Sequence, residues 1–157
     1  MNVLRISVIL FVAFCAPALR AAVPSYEEFV PGLTRAQVIE VVKKSYAQYP
    51  IEERVDPRYG ISSMIITMFK QGKRFEVVLE FNFRDVLSHI QVYIHGMTGD
   101  EYDALLKDLQ KRYGSPDDTR TVEKPIMTWN FERKKYTLEV YFLGEHARLD
   151  YGYFPSR

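Results

Sequence analysis

Cysteine is nearly missing from this chain of 157 residues, and so is an excess of charge of either sign. Its only cysteine, Cys15, lies in an apolar stretch near the N-terminus, and 21 Lys and Arg stand against 20 Asp and Glu. The remainder of the chain can form no disulfide, so its stability must come from packing. Near-neutrality gives no electrostatic reason to expect nucleic acid or anionic lipid as a partner.

Long hydrophobic runs are missing as well. The longest, from Ile6 to Leu19, has 14 residues, whereas a helix needs roughly 20 apolar residues to span a bilayer. Arg5 precedes this stretch and small residues follow it, which is the pattern of a secretory signal. We therefore predict a signal peptide over residues 1–21; an uncleaved membrane anchor is the alternative.

Cleavage of this signal fits two positions, after Ala18 or after Ala21. A lipid-attached N-terminus is not expected, because Phe14 precedes Cys15 where lipid attachment requires a small residue. The mature module is then residues 22–157, about 136 residues, which suffices to bury roughly two-thirds of the unfolded chain's surface. We expect a periplasmic or secreted protein with no stable membrane anchor, and the sequence leaves its oligomeric state open.

Catalytic and cofactor motifs are also absent. The chain has no Gly-rich phosphate loop, no Gly-x-Ser-x-Gly elbow and no His-Glu-x-x-His. His89 and His95 share one predicted strand but lie roughly 20 Å apart, and His146 falls in a predicted hairpin turn. We therefore predict no catalytic residue, no metal and no cofactor.

Two groups of acids have structural explanations. Asp100, Glu101 and Asp103 fall in the first turn of a predicted helix, where the helix dipole favours negative charge. Asp117 and Asp118 follow a Gly-Ser-Pro sequence and are typical of a turn.

What the sequence does contain is a repeated helix start. Gly-Leu-Thr-Arg-Ala-Gln-Val at 32–38 returns in altered form as Gly-Met-Thr-Gly-Asp-Glu-Tyr at 96–102. Each copy has Thr three residues before Gln or Glu, which is a capping box, and flanking apolar residues that form a hydrophobic staple. Thr34, Gln37, Thr98 and Glu101 are thus predicted as structural residues.

The two predicted helices have matching lengths and matching apolar faces. One runs from Thr34 to about Tyr49, where Pro50 ends it, and the other from Thr98 to Tyr113, with Gly114 as its left-handed C-cap. The apolar stripes align at an offset of 64 residues: Val38, Val41, Val42 and Tyr49 in the first, and Tyr102, Leu105, Leu106, Leu109 and Tyr113 in the second.

Three strands are predicted after each helix. The second strands, 74–81 and 135–142, have apolar residues at every second position, and the positions between them are polar except for Val78 and Tyr141. The first strands are Ile61 to Phe69 and Ile126 to Glu132, the latter with Trp129 in the core. The third strands have inward faces formed by Val86, Ser88, Ile90, Val92 and Ile94 in one half and by Ala147, Leu149, Tyr151 and Tyr153 in the other. The charged segment from Ile51 to Tyr59 is predicted as a loop.

The resulting fold class is α+β. Clean alternation indicates antiparallel strands with one buried face, so both helices should pack on one face of an antiparallel sheet. The module is predicted to be a tandem α-β-β-β repeat, with units of about 32–95 and 96–154. Whether the halves make one continuous sheet or two is left open.

The repeated motif resembles one found in β-lactamase-inhibitor-protein-like domains, a superfamily that includes the small lipoprotein of the outer-membrane β-barrel assembly machinery. The resemblance is carried by residues 32–38 with Tyr26 and Phe29 before them, and by the Gly-Met-Thr at 96–98. It implies helices followed by an antiparallel sheet, and non-catalytic protein binding through the open face of that sheet. The inhibitors carry disulfides and the lipoprotein a lipid anchor, and this chain lacks both features, so inhibition of a β-lactamase is not predicted.

The exposed face of the predicted sheet is therefore the candidate functional surface. Tyrosine among mixed charges is the composition of protein-binding hot spots; an ordinary solvated face is the alternative. The candidate binding residues are Glu76, Glu80, His89, Tyr93, Tyr141, Arg148 and Asp150, with Val78 beside them.

These features predict an exported, non-catalytic binding module that recognises another envelope or secreted protein of unknown identity. A periplasmic carrier of an apolar ligand or lipid is the alternative, motivated by the aromatic and Met-containing interior. An envelope hydrolase that uses dispersed carboxylates is the third and least favoured hypothesis.

Overall fold

A computed structural model describes residues 23–121 and 124–155 of the chain. The predicted signal peptide, residues 1–21, and both of its cleavage positions lie outside these residues. The described residues form two α-helices and eight β-strands, which in chain order are α1 (Arg35–Ser45), β1 (Ile51–Asp56), β2 (Ile61–Lys70), β3 (Lys73–Phe81), β4 (Leu87–His95), α2 (Gly99–Tyr113), β5 (Asp118–Thr121), β6 (Pro125–Phe131), β7 (Tyr136–Phe142) and β8 (His146–Tyr153).

All eight strands belong to one sheet, in the order β1-β2-β3-β4-β8-β7-β6-β5. Every neighbouring pair is antiparallel. The central pair is β4 with β8, whose register sets Val92 opposite Leu149. The predicted α+β class with an antiparallel sheet is confirmed, and the strands of the two halves form one continuous sheet.

The core lies between the two helices and one face of the sheet. Val38 and Val42 of α1 are buried together with Tyr102, Leu106 and Leu109 of α2. They join a single cluster with the inward side chains of the strands, among them Ile66, Met68, Val77, Leu79, Ile90, Val92, Leu138, Val140, Leu149 and Tyr151. Both helices therefore cover the same face, as predicted.

Both helices start with the predicted capping box. The Thr34 hydroxyl accepts from the Gln37 backbone N–H at 3.3 Å, and the Thr34 N–H donates to the Gln37 side chain at 2.9 Å. Thr98 and Glu101 make the same exchange at 3.3 and 2.8 Å. Each box satisfies two N–H groups that a helix start would otherwise leave unpaired.

The carboxylate of Glu101 should make the stability of the protein depend on acid pH. The Thr98 N–H and then the Lys73 ammonium, 2.9 Å away, lower the pKa of Glu101 to about 2. Because the pKa in the folded state lies below its ordinary value of 4.5, the stabilisation is complete above pH 4.5 and is lost as pH falls toward 2. Glu101→Gln should therefore be less stable than wild type at pH 7, and this difference should vanish near pH 2 in chemical denaturation. Asp100→Asn, which removes a carboxylate of the same turn, is the control; equal pH dependence in both variants would contradict the assignment.

The C-terminus of α2 differs in detail from the prediction. Gly114 ends the helix with φ of 82° and ψ of −164°. The positive φ that favours glycine is confirmed. The ψ of −164°, however, lies outside the left-handed helical conformation, in a region of positive φ that is essentially restricted to glycine.

Helix α1 is shorter than predicted. It ends at Ser45 rather than near Tyr49, with Tyr46 as its C-cap. The residue before a proline is disfavoured in the helical region, and the Pro50 carbonyl already accepts from the Thr67 N–H of the sheet at 3.1 Å. The chain therefore leaves the helix early in order to enter the sheet.

Each helix is followed by four strands, where three were predicted. The predicted loop from Ile51 to Tyr59 begins with β1, and the predicted turn at Asp117 and Asp118 leads into β5. Both are edge strands with mostly exposed residues. An edge strand that faces water on both sides needs no alternation and often carries charges, so its sequence is easily mistaken for a loop.

The start of β4 corrects the predicted inward face. Leu87 is fully buried there in place of Val86 and Ser88. A β-bulge between β3 and β4 leaves Ser88 as an extra residue, which shifts the alternation by one. From Ile90 onward the predicted phase is confirmed.

Candidate functional site

The open face of the sheet, the side away from both helices, carries all seven predicted binding residues. Side chains alternate along each strand, and the neighbours of these residues point into the core. The described residues place both helices on the opposite side. The seven are Glu76 and Glu80 on β3, His89 and Tyr93 on β4, Tyr141 on β7, and Arg148 and Asp150 on β8.

Arg148 lies between two tyrosines near the middle of the open face. Tyr93 is opposite Arg148 in the β4–β8 pair, and Tyr141 is opposite it in the β7–β8 pair. The guanidinium carbon is 5.7 Å from the centre of the Tyr93 ring and 5.6 Å from that of Tyr141. Both distances are within the range of cation–π interactions. We call Tyr93, Arg148 and Tyr141 the central stack.

Asp150 fixes the position of Arg148 from the same strand. The guanidinium donates a hydrogen bond to the Asp150 carboxylate, and the two side chains are 29% and 17% exposed, respectively. Arg148 Nε and Asp150 Oδ1 are buried and have no hydrogen-bond partner among the described residues. The ion pair is thus largely removed from water while part of its hydrogen-bonding capacity is unused, which makes it sensitive to the loss of either partner.

Two further side chains hold the tyrosines of the central stack. The Tyr141 hydroxyl donates to the Glu139 carboxylate, and the Tyr93 hydroxyl donates to the Gln91 side-chain oxygen at 3.1 Å. Burial, and next to it the hydrogen bond to Glu139, raises the pKa of Tyr141 to about 12. The hydroxyl therefore remains protonated at neutral pH, and both rings are held in fixed orientations.

One end of the open face is formed by His95 and His146, whose rings are 5.6 Å apart. His146 is not in the hairpin turn, as predicted, but is the first residue of β8, opposite His95, because the turn ends at Glu145. The Arg74 guanidinium is 3.3 Å from His95 Nε2 and the Glu76 carboxylate is 3.8 Å from it. Burial, followed by the charge of Arg74, lowers the pKa of His95.

The other end of the open face contains Glu80 and His89, which lie opposite each other. They are roughly 13 Å along the strands from Glu76, so the structure does not bring them to the central stack. His89 instead lines a recess of about 210 Å³, with the Phe154 ring 5.6 Å away. This recess depends on Gly152, because a Cβ there would lie 2.8 Å from the Phe154 ring.

The sequence reasoning missed Gln91 and Glu139 as members of the site. Both stand in strict alternation with a predicted residue, Gln91 with Tyr93 and Glu139 with Tyr141, so the strand period could have identified them. Gly152 follows Asp150 in the same alternation, so its position on the open face was predictable as well, whereas Ile65 lies on β2, a strand without a predicted site residue. Ile65 is 7% exposed although it lies on the open face.

Two of the three acids at the start of α2, Glu101 and Asp103, are engaged in structural contacts. Asp103 pairs with Lys124 at 2.8 Å and Glu101 with Lys73 at 2.9 Å. Within residues 23–121 and 124–155, no group of three or more His, Cys, Asp or Glu side chains is arranged to hold a metal ion. In the same residues, neither helix has the length and apolar composition needed to cross a membrane.

The fold and this surface define an α+β protein with a single antiparallel sheet whose open face presents an aromatic–arginine cluster. Comparison with known proteins found no matching family model, no matching curated protein and no matching solved structure.

Proposed function

We propose that this protein is an exported, non-catalytic module that binds another envelope or secreted protein through the open face of its sheet. The observation that carries the proposal is the central stack of Tyr93, Arg148 and Tyr141. Tyrosine and arginine are among the residues enriched in binding hot spots. Here they lie near the middle of a broad sheet face that neither helix covers.

The rigidity of the central stack supports this function. Each tyrosine hydroxyl has an acceptor, and Arg148 is tied to Asp150. Side chains that are already fixed before binding lose little conformational entropy when a partner arrives. The surrounding acids and histidines supply a polar rim, as is typical of protein interfaces.

We also propose that the two halves are copies of one α-β-β-β unit, each extended by an edge strand. Support comes from the matching capping boxes and from the sheet order, in which β1 to β4 and β5 to β8 run inward from opposite edges. A duplicated unit with an open sheet face is the arrangement that the resemblance to β-lactamase-inhibitor-like domains implies. Protein binding would then be a shared property.

The carrier hypothesis receives no comparable support. Three recesses among the described residues have volumes of about 520, 410 and 210 Å³, and none of their lining residues belongs to the buried core. A lipid carrier would need space between the helices and the sheet. That region holds large, fully buried side chains such as Trp129, Tyr102 and Phe81.

The test is loss of binding when both tyrosines of the central stack are removed. The purified protein should capture a partner from envelope extract, and the isolated partner should bind with a dissociation constant measurable by calorimetry. Tyr93→Ala with Tyr141→Ala should raise that constant by about 30-fold or more, because a hot-spot residue contributes about 2 kcal/mol or more.

Tyr59→Ala is the matched control, since Tyr59 is 70% exposed and lies in the turn between β1 and β2. It should bind like wild type. Unchanged affinity in the double variant, with its circular dichroism spectrum also unchanged, would refute the open face as the binding surface.

A further inference from the structure

Among residues 23–121 and 124–155, no strand pairs with the outer edge of β1, so its outward backbone groups have no partner in the part of the chain that the structure describes. β1 ends the sheet order and pairs only with β2. The Pro50 carbonyl accepts from the Thr67 N–H at 3.1 Å, one step before the first β1–β2 pair. Because hydrogen-bonded and non-hydrogen-bonded pairs alternate in an antiparallel ladder, the N–H and C=O groups of Ile51, Glu53 and Val55 point away from β2.

The side chains of this edge are complementary to those of a second copy. If two β1 strands pair antiparallel about an axis at Glu53, Ile51 of each copy lies opposite Val55 of the other, and Glu52 lies opposite Arg54. Ile51 and Val55 are 40% and 68% exposed in the single chain, so pairing would bury them. Apolar pairs and pairs of opposite charge are the cross-strand contacts that stabilise sheets, and symmetry makes each of them twice. Arg54 already pairs with Glu52 of its own chain at 2.7 Å, so the dimer would set two such ion pairs side by side with opposite charges facing.

The pairing register with its axis at Glu53 is more favourable than the two registers whose axes lie one residue away, at Arg54 and at Glu52. Glu53 lies opposite itself on the axis, but each Glu53 carboxylate already has the Arg35 guanidinium at 2.8 Å. An axis at Arg54 would set Arg54 against itself and Glu52 against Asp56. An axis at Glu52 would set Glu52 opposite Glu52 of the second copy, and no apolar pair would form across the interface.

The opposite edge of the sheet lacks these features. β5 has only four residues, Asp118–Thr121, and none of them has a large apolar side chain.

We propose that the protein forms a symmetric dimer in which β1 pairs antiparallel with β1 of a second copy. The eight-stranded sheet then continues across both copies, and both open faces lie on the same side and stay accessible.

Sedimentation equilibrium of the purified protein measures the dissociation constant of the dimer and, with charge variants, tests its register. A short edge buries little area, so we expect a weak dimer with a dissociation constant of roughly 1–100 µM. Glu52→Arg alone and Arg54→Glu alone each put like charges opposite one another, and each should weaken the dimer roughly ten-fold. The combined exchange should restore it. A protein that stays monomeric up to about 1 mM, or a dimer indifferent to all three variants, would overturn the proposal.

Disulfide trapping gives an independent readout of the axis. In a chain with Cys15→Ser, which removes its only cysteine, Glu53→Cys should form a linked dimer on mild oxidation. The expected Cα separation of about 5.5 Å suits a disulfide. Thr119→Cys on β5 is the control and should stay unlinked. Equal linking at both positions, or none at Glu53→Cys, would argue against pairing through β1.

Discussion

Trp129→Ala should lower the free energy of unfolding by about 3–5 kcal/mol, the usual cost of removing a large aromatic side chain from a core. Trp129 is 2% exposed. Its indole N–H donates to the Gly114 carbonyl at 2.9 Å, so the side chain also ties β6 to the end of α2. Removing it both leaves a cavity and leaves the helix C-terminus without a partner.

Urea denaturation followed by far-ultraviolet circular dichroism measures this effect, since Trp129 is the only tryptophan and fluorescence is lost with it. Trp129→Phe separates the two contributions, because it keeps most of the ring volume and leaves the carbonyl unpaired at a cost of about 1–3 kcal/mol. Phe83→Ala, at a position 78% exposed, should change stability by less than about 0.5 kcal/mol. A loss below about 1 kcal/mol in Trp129→Ala would mean that this side chain is not packed as described.

Arg148→Met should lower the free energy of unfolding by about 1–3 kcal/mol. Methionine keeps most of the apolar stem of Arg148 and removes the guanidinium that lies between the tyrosines, so the substitution removes mainly the charge. Asp150 is then left 17% exposed with no cation beside it, and a buried charge without a partner is costly. The figure stays below that of a fully buried pair because Arg148 is 29% exposed and water screens part of the interaction.

A double-mutant cycle distinguishes this explanation from a simple loss of contacts. Arg148→Met with Asp150→Leu removes both charges and should be at least as stable as Arg148→Met alone. Measured together with Asp150→Leu alone, the three variants should give a coupling of about 0.5–3 kcal/mol. Denaturation midpoints at pH 7 with unchanged slopes provide the measurement. Strictly additive losses would show that the pair contributes no more than an exposed ion pair.

The local features that the sequence predicted correctly have short-range causes. The capping boxes at Thr34 and Thr98 depend on residues three positions apart, and the phase of β3 and β7 depends only on alternation. Because a one-residue slip would turn a whole strand over, correct phase was enough to place all seven candidate residues on one face. Membership of that face was therefore predictable.

The features that the sequence did not predict depend on tertiary contacts. β1 and β5 become strands only because β2 and β6 offer them an edge. The shift at Leu87 follows from a bulge opposite β3. The register between β4 and β8 determines which of the seven residues touch one another. The sequence of a single strand does not indicate which other strand pairs with it, so these contacts were not predictable.

The position of β8 has a consequence for how the protein folds. β8 is the last described strand along the chain, yet it lies in the middle of the sheet beside β4. Their paired residues are more than fifty positions apart in the sequence, and contacts between distant residues form slowly. Until β8 emerges from the ribosome, β4 and β7 each keep a bare edge, and such edges readily pair with other chains. Chaperone protection during synthesis should therefore matter most for this strand, and truncation before His146 should yield aggregates rather than a folded half.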